Sequence, residues 1–500
     1  MHPVNPPRNP ILPGFHPDPT ICRVGTDFYL CTSTFEYFPG LPIYHSRNLQ
    51  DWTLLGHAID RPEQLDYRNT RCSEGLYAPT LRHHQGRFYL VCTQVGGGGN
   101  FLVTAADPAG PWSDPVWIQE GDVEPWFDPS LCFDDDGAVY YTRRHEARVV
   151  QAELDAESGA LLTPLREIAG PWCTDDIEGP HLYKIGSWYY LLAAEGGTGW
   201  GHCSTVARAS SPWGPFESCP HNPILTHRHL PNHPVRYTGH GDWVEDADGQ
   251  WWMVFLATRH YGFGGLAFHH LGRETFLTPV RWVDGWPVMD GPITDTAPSP
   301  PDVHDDFDSP KLSPGWLSRR VPDPKHVDLG SRPGWLRLHG GAATLSDMDA
   351  EAFRGRRLDR YNFDWSARLQ FHATRENEEA GLALVMADDC HLEWVRTCRA
   401  GKDVLLLRRR VLDLCQEDVY PVAFADDCVL TIQGSDRHFS FHAGPVDGEL
   451  ECMAQADRRL FCTETTTGWT GLIAGVYASG NGRPSDAHAD FDSVALRSRE

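Results

Sequence analysis

Three acidic residues in the first half of the chain stand in short segments that contain proline or glycine. Asp18 lies in "HPDPT", Asp128 in "FDPSL" and Glu178 in "EGPHL". Three carboxyl groups that face one cavity cannot all ionise at low cost, so their pKa values are pushed apart. A protonated donor opposite an ionised acceptor is the arrangement that hydrolysis of a glycosidic bond requires. Each segment alone is typical of an ordinary turn, so this chemistry depends on a fold that brings the three residues together.

Asp18 is flanked by Pro17 and Pro19. Proline fixes its own φ and pushes the residue before it towards extended backbone. We therefore expect Asp18 to lie in extended backbone, with its carboxylate aimed by the chain itself.

A recurring strand pattern predicts the fold that positions these acids. In five segments a glycine precedes adjacent bulky residues: "GTDFYLC", "GRFYLVC", "GAVYYTR", "GSWYYLL" and "GQWWMVF". Their marker aromatics are Tyr29, Tyr89, Tyr140, Tyr189 and Trp252. Intervals of roughly 50 to 60 residues fit one four-stranded sheet per repeat. The tight turns "DDDG" and "DADG" before two of these segments are typical of hairpins. The pattern predicts a five-bladed β-propeller.

The segments ten to twelve residues before the markers carry the chemistry. At the matching positions they hold Asp18, Ala78, Asp128, Glu178 and His240. If the repeats are equivalent, these residues lie on the innermost strands of successive blades, at one end of the central channel. The echo "NPIL" at 9–12 and 222–225 supports the same alignment.

Composition excludes several classes of partner. The chain has 500 residues, 41% of them hydrophobic, and a formal charge of −25. Such an acidic surface repels nucleic acid and anionic lipid, so we expect neither nucleic-acid nor membrane binding. No secretory signal pattern is visible, which predicts a cytoplasmic protein. The fourteen cysteines contain no C-x-x-C pair and are expected to be buried thiols.

The motif series "HPDPT", "FDPSLCFDDDG", "EGPHLYK", "YTGHGDW" and "VFLATR" resembles glycoside hydrolase family 43, the five-bladed-propeller β-xylosidases and α-L-arabinofuranosidases. The resemblance runs across roughly residues 8 to 290 in family order. It implies an inverting mechanism in which Asp18 is the general base that activates water. It also implies that Glu178 is the general acid, and that Asp128 raises the pKa of this acid and orients it.

The resemblance implies further site residues. Arg259 matches an arginine that holds sugar hydroxyls, although a surface salt bridge is an alternative. His240 matches a channel histidine that helps to ligate calcium or another ion through water, with a structural histidine as the alternative. Phe35 stands where the family places an aromatic wall, with core packing as the alternative. Tyr77 stands where many members carry tryptophan.

The rest of the chain predicts a second β domain. We divide the chain into a propeller (1–290), a Pro-rich linker (291–304) and a β-sandwich (305–500) with about a dozen strands. This sandwich resembles the concanavalin-like domain of family β-xylosidases, where a loop can wall off the pocket, which implies exo-action. The acidic stretches "HDDFD" and "ADFD" suit a structural calcium ion, or plain strand-end turns.

One other stretch is rich in metal-binding side chains. "THRHLPNHPVRYTGH" (226–240) contains several histidines, but their spacing and the prolines suit a loop better than a zinc site.

The sequence thus predicts an exo-acting, inverting glycosidase that releases xylose from the non-reducing end of β-1,4-xylo-oligosaccharides. The chemistry would need no cofactor. The alternative is an α-L-arabinofuranosidase, or a bifunctional enzyme, on arabinoxylan-derived oligosaccharides. A non-catalytic carbohydrate-binding protein is more remote, because it would not need three acids in register. An invertase-like fructosidase is disfavoured because "HPDPT" does not match its motif. A homo-oligomer is compatible with the sequence.

Overall fold

The computed structural model describes residues 6–121, 126–262, 267–349 and 351–499. Its regular structure is almost entirely β-sheet: five small sheets, two large ones after them, and a two-stranded sheet that joins the two parts. The prediction of an all-β chain, with a five-bladed propeller and a sandwich, is confirmed.

Each of the five small sheets is one blade. Blade 1 contains β1 (Thr20–Val24), β2 (Asp27–Cys31), β4 (Gly40–Ser46) and β5 (Thr53–Ile59), with β3 (Tyr37–Phe38) outside its sheet. Blade 2 contains β6 (Gly75–Leu76), β7 (Thr80–His84), β8 (Arg87–Val95), β9 (Gly99–Ala105) and β10 (Val116–Trp117). Blade 3 contains β11 (Ser130–Phe133), β12 (Val139–His145), β13 (Arg148–Asp155), β14 (Ala160–Leu161) and β15 (Arg166–Ala169). Blade 4 contains β16 (Ile177–Ile185), β17 (Trp188–Glu195), β18 (Cys203–Ala209) and β19 (Glu217–Ser218). Blade 5 contains β20 (Val235–Glu245), β21 (Trp251–Arg259), β22 (Glu274–Val283) and β23 (Trp286–Val288).

Each marker aromatic lies on the strand that pairs with the innermost strand of its blade, a place that β6 and β7 share in blade 2, and the turns before these strands are tight. Gly137 and Gly249, the last residues of "DDDG" and "DADG", have φ values of 91° and 81°. These left-handed values are easily reached only by glycine, which is why the hairpins between β11 and β12 and between β20 and β21 need it.

Hydrophobic side chains between adjacent blades hold the ring together. Among the described residues, one buried cluster lies at each of the five junctions, including the junction of blade 5 with blade 1. They are represented by Leu90, Leu131, Leu191, Phe255 and Leu30. Burial of each such side chain contributes roughly 1.5–3 kcal/mol, so the closed ring is the stable arrangement.

The "NPIL" echo is a repeated structural device. The side-chain amide of Asn9 pairs with the backbone of Leu277 on β22, and that of Asn222 pairs in the same way with Val206 on β18. Leu12 bridges to Thr275, so the N-terminal segment joins blade 5 and closes the ring.

The second domain is a sandwich of two antiparallel sheets. The eight-stranded sheet contains β24 (Val303–Asp305), β26 (Val327–Asp328), β27 (Leu336–His339), β29 (Phe363–Gln370), β34 (Asp427–Gly434), β35 (His438–Pro445), β36 (Glu451–Asp457) and β38 (His488–Ser498). The six-stranded sheet contains β28 (Ala352–Arg357), β30 (Glu379–Ala387), β31 (Cys390–Arg399), β32 (Lys402–Val411), β33 (Leu414–Pro421) and β37 (Ile473–Ser479). Trp365 and Trp394 are fully buried between the sheets.

The only α-helix in the described part of the chain is α1 (Thr463–Thr466). Short 3₁₀ turns cover Pro324–His326 and Arg458–Leu460. No helix in the described ranges has the length and apolar character needed to span a membrane.

Propeller and sandwich are joined by backbone pairing and by a shared core. Strand β25 (Ser318–Arg319) pairs with β3 of the propeller. Phe15 and Tyr37 of the propeller pack in one buried cluster with Phe353 and Tyr477 of the sandwich. The backbone pairing and the shared core therefore fix the position of the sandwich on the propeller.

Candidate active site

The three predicted acids reach the same cavity from three blades. Asp18 and Asp128 each lie two residues before an innermost strand, β1 and β11, and Glu178 is the second residue of β16. Asp18 has φ 50° and Asp128 has φ 60°. The expectation of extended backbone at Asp18 is therefore wrong. Both acids adopt the left-handed region, where strained non-glycine residues often mark functional sites.

The cavity has a volume of about 340 Å³, which suits a small ligand. It is lined by Asp18, Phe35, Tyr77, Ala78, Phe127, Asp128, Arg144, Asp176, Glu178, Gly197, Thr198, His240, Arg273 and Trp469. All five residues that the repeat alignment placed at the channel therefore line it together.

Both carboxylate oxygens of Asp18 accept a hydrogen bond. Ser33 Oγ donates to Oδ2 at 2.5 Å, and Arg273 Nη1 donates to Oδ1 at 2.7 Å. Nδ1 of His240 lies 3.7 Å from the same Oδ1. These contacts fix the orientation of the carboxylate, while its place in the cavity lining leaves it within reach of a bound molecule.

Asp128 and Glu178 form an electrostatically coupled pair. Burial, followed by the charge of Asp18, raises the pKa of Asp128 to about 7. Burial, followed by the charge of Asp128, raises the pKa of Glu178 to about 7. Oδ2 of Asp128 accepts the backbone N–H of Gly179 at 2.8 Å, and a bond of this kind favours the charged form. Glu178 is thus suited to carry a proton near neutral pH, as a general acid must.

Arg144 is a site residue that sequence reasoning missed. Its Nη1 donates to Oε2 of Glu178 at 2.9 Å, and its Nη2 lies 2.8 Å from Oδ1 of Asp176. Its guanidinium also lies 4.9 Å from the ring centre of Phe127. Arg144 therefore orients Glu178, although its charge lowers the pKa that burial and Asp128 raise. The "RR" pair at the end of "YYTRR" is the only sequence signal for it.

Aromatic side chains form the apolar walls of the cavity. The rings of Phe35 and Tyr77 lie 5.0 Å apart between centroids, and the Tyr77 hydroxyl donates to the backbone oxygen of Ser73. Trp469 comes from the sandwich domain. Its backbone N–H donates to Ser73 Oγ of the propeller at 2.9 Å. The guanidinium of Arg273 lies 5.5 Å from the ring centre of Phe35 and 5.8 Å from that of Trp469. The cavity is thus closed on one side by the second domain.

Comparison with known proteins identifies this arrangement. Residues 7–287 match the model described as glycosyl hydrolases family 43, and residues 304–497 match that of a beta xylosidase C-terminal concanavalin A-like domain. The chain belongs to glycosyl hydrolase family 43. The resemblance read from the sequence motifs is confirmed, and the chain is a glycosidase of the xylosidase and arabinofuranosidase family.

Several family 43 relatives match over nearly the whole chain. A protein named non-reducing end alpha-L-arabinofuranosidase from Bacteroides ovatus is 41% identical, over 98% of this chain and 94% of its own. A xylosidase/arabinosidase from Butyrivibrio fibrisolvens is 37% identical, over 97% and 98%. The crystal structure of a xylan beta-1,4-xylosidase from Bacillus halodurans superimposes with a TM-score of 0.90 at 32% identity, covering 99% of this chain and 100% of that one.

One predicted residue of the family 43 site lies elsewhere. Arg259, at the end of β21, donates two hydrogen bonds to Glu274 at 2.7 and 2.8 Å and a third to the backbone oxygen of Asp359. The prediction that Arg259 holds the sugar is therefore corrected: its guanidinium is used in a buried ion pair, and it does not line the cavity. Arg273, just before β22, supplies the guanidinium beside Asp18 in the cavity, and sequence reasoning did not select it.

The sequence predicted a metal ion near His240 and a calcium ion between the two acidic stretches. At neither place does the described part of this family 43 chain group three metal-ligating side chains. His240 lines the cavity, but it belongs to no group of three metal-ligating side chains among the described residues. In the two acidic stretches, Asp305 accepts from Trp316 Nε1, and Asp490 is paired with Arg332 and Arg337. These carboxylates are satisfied by protein donors, so calcium stays a prediction.

Proposed function

We propose that the protein is an exo-acting, inverting glycosidase that removes one terminal pentose from the non-reducing end of a short oligosaccharide. The observation that carries this proposal is the cavity itself. It brings Asp18, Asp128 and Glu178 together at one end of the propeller, and Trp469 of the sandwich walls it off.

In the proposed mechanism Asp18 accepts a proton from a water molecule as that water attacks the anomeric carbon. Glu178 donates its proton to the departing glycosidic oxygen. Asp128 keeps that proton on Glu178 by like-charge repulsion, and Arg144 holds the acid in place. Arg273 orients Asp18 and offers its remaining donors to sugar hydroxyls.

The exo mode rests on the size and closure of the cavity. A volume of about 340 Å³ suits one sugar ring far better than several consecutive rings. Phe35 of the propeller and Trp469 of the sandwich both lie beside Arg273, so aromatic rings of two domains limit this part of the cavity, which favours binding of a chain end.

We propose that the enzyme accepts both β-D-xylopyranosyl and α-L-arabinofuranosyl ends, with xylosyl as the better glycone. Relatives named for either sugar, and one named for both, match at similar identity over nearly the whole chain, which supports dual acceptance. Xylo-oligosaccharides and arabinoxylan-derived oligosaccharides are the corresponding natural substrates. The cytoplasmic location and a homo-oligomeric state stay predictions.

The test is the initial hydrolysis rate on matched aryl β-D-xylopyranoside and aryl α-L-arabinofuranoside, with Asp18→Ala as the blank. We expect turnover of both and a higher kcat/KM on the xyloside. A higher value on the arabinofuranoside would make the protein chiefly an arabinofuranosidase, and turnover of neither would overturn the pentosidase proposal.

The stereochemistry and the exo mode are tested separately on xylotriose. Proton NMR of the first product should show α-xylose, since inversion of a β-linkage gives the α-anomer. Early appearance of β-xylose would refute the inverting mechanism. On xylotriose labelled at its reducing end, exo-action from the non-reducing end gives unlabelled xylose and labelled xylobiose, so early release of labelled xylose would refute it.

A further inference from the structure

Outside the cavity, three metal-ligating side chains meet where the propeller contacts the sandwich. His260 follows the last residue of β21, and His269 lies in the segment that leads into β22. Glu464 lies on α1 of the sandwich. Nδ1 of His269 is 2.7 Å, and Nε2 of His260 is 3.3 Å, from Oε1 of Glu464. Their ligand atoms all lie within 4.8 Å of one another. The proposed mechanism uses none of these three side chains.

The hydrogen-bond network around His260 leaves a lone pair directed at a carboxylate. The hydroxyl of Thr258 donates to the backbone oxygen of Arg236 at 3.2 Å, and it lies 3.3 Å from Nδ1 of His260. The tautomer with its proton on Nδ1 completes this network, and it is the one that can bind a metal ion through Nε2. Nε2 then carries the lone pair, and it is buried without a hydrogen-bond partner among the described residues.

An acceptor nitrogen 3.3 Å from a carboxylate oxygen is unfavourable unless a positive charge lies between them. The His260 side chain is only 1% exposed, so bulk water does not relieve the repulsion.

The separations of the two imidazole nitrogens from Oε1 of Glu464 suit tetrahedral zinc after small shifts. Ligands about 2.0–2.1 Å from Zn²⁺ lie about 3.3 Å from one another in a tetrahedral site. The His260 pair already has this spacing, and the His269 pair must open by a few tenths of an ångström. A neighbouring cavity of about 270 Å³, lined by His269 and Glu464, has room for a water molecule as fourth ligand.

We propose that His260, His269 and Glu464 bind a divalent transition-metal ion such as Zn²⁺, which ties the sandwich to the propeller. The set of two imidazoles and one carboxylate matches the preference of zinc rather than that of calcium. Oε2 of Glu464 accepts the backbone N–H of His269 at 3.0 Å, which fixes the carboxylate. Glu464 lies shortly before Trp469 in the chain. An ion bound by Glu464 and the two histidines therefore fixes the segment that carries Trp469 to the propeller.

The test uses the full chain after its metal has been removed with EDTA. Isothermal calorimetry monitors its titration with ZnCl₂, metal analysis after gel filtration counts the bound zinc, and scanning calorimetry gives the thermal midpoint. We expect the wild type to bind one high-affinity equivalent, which raises its thermal midpoint. Glu464→Gln keeps an acceptor for the His269 N–H but loses the anionic ligand, so its zinc affinity should fall by more than about 100-fold. His260→Gln should lose the same equivalent, while the two hydrogen bonds from His269 to Glu464 stay in place.

The control is His229→Ala, which removes an exposed histidine from the histidine-rich loop. It should keep the high-affinity equivalent, which separates the proposed site from adventitious binding. Circular dichroism of each metal-free variant establishes that it is folded. The proposal is overturned if the wild type binds no zinc above the level of the two site variants, or if His229→Ala alone removes the bound equivalent. None of these measurements depends on glycosidase activity.

Discussion

Two buried carboxyl clusters, one in each domain, have similar electrostatics and different surroundings. In the propeller, burial and a neighbouring charge raise the pKa values of Asp128 and Glu178 to about 7. In the sandwich, burial and the charge of Glu393 raise the pKa of Glu379 to about 7. Burial also raises the pKa of Glu393. The hydrogen bond with His391 and the charge of Arg408 lower this pKa by more than burial raises it, so the net shift is downward.

The difference lies in what fills the space between the acids. Arg408 donates two hydrogen bonds to Glu379 at 2.8 and 3.0 Å and pairs with Glu393. Both sandwich carboxylates are at most 2% exposed, whereas Glu178 is 13% exposed and lines a cavity. A raised carboxyl pKa therefore does not by itself mark an active site. The space for a substrate beside the carboxyl groups distinguishes the two clusters.

The largest expected effect separates the clusters by activity. Asp18→Asn and Glu178→Gln should each lower kcat on xylobiose by about 10²–10⁴-fold, because each removes one proton-transfer step. Glu379→Gln, the matched change in the sandwich, should leave the kcat of the folded protein within about twofold. Glu178→Gln should recover most of its rate on an aryl xyloside whose leaving group needs no proton. Equal losses on both substrates would remove Glu178 from the acid role.

The second effect separates the clusters by stability. Arg408→Gln leaves two buried carboxyl groups without their cation, and such changes destabilise by about 3–5 kcal/mol. Arg409→Gln is the control on the same strand, since its partner Asp418 is 35% exposed and the pair contributes about 1 kcal/mol or less. Differential scanning calorimetry should show a much lower midpoint for Arg408→Gln alone. Equal midpoints would mean that Arg408 is not a structural cation.

A smaller effect tests the coupling of Asp128 to Glu178. The acid works only when protonated, so kcat on xylobiose should fall as pH rises through about 7. Asp128→Asn removes a negative charge that opposes ionisation of Glu178, so the pKa of Glu178 falls and the alkaline limb moves down by about one pH unit. The residual activity of this variant across pH measures the shift. Glu393→Gln should leave the limb in place, and a limb that moves upward in Asp128→Asn would contradict the coupling.

The smallest effect concerns the aromatic wall supplied by the sandwich. Trp469→Ala should raise KM for xylobiose by up to about tenfold, since an aromatic contact contributes roughly 0.5–1.5 kcal/mol. Trp117→Ala is the control, because Trp117 is half-exposed on blade 2 and does not line the cavity. An unchanged KM in Trp469→Ala would show that the sandwich does not contribute to substrate binding.

Repetition made the propeller and its acids predictable from sequence. The glycine-aromatic pattern sets the second strand of each blade, and a fixed step back from it reaches Asp18, Asp128 and Glu178 without knowledge of side-chain contacts. The Asn9 and Asn222 amides show that even a short echo reports the same local bonding in two blades.

Contacts between distant segments could not be predicted in this way. Arg259 and Arg273 lie near the same end of the β21 and β22 pair, and only the position of Glu274 decides which guanidinium is free to enter the cavity. Trp469 and Glu464 depend on how the sandwich docks, for which the sequence has no repeating signal. The densest run of histidines in the sequence is the loop at 226–240. The three-ligand cluster forms elsewhere, from residues of two domains that are far apart in the chain.

The closure of the ring by residues 9–12 has a consequence for synthesis of the chain on the ribosome. Leu12 leaves the ribosome long before its partner Thr275 is made. The N-terminal segment therefore waits while four blades are completed, since domains fold as their partners emerge. The cavity wall is delayed further, because Trp469 lies near the end of the chain. A nascent chain can thus close its propeller well before it possesses a complete cavity.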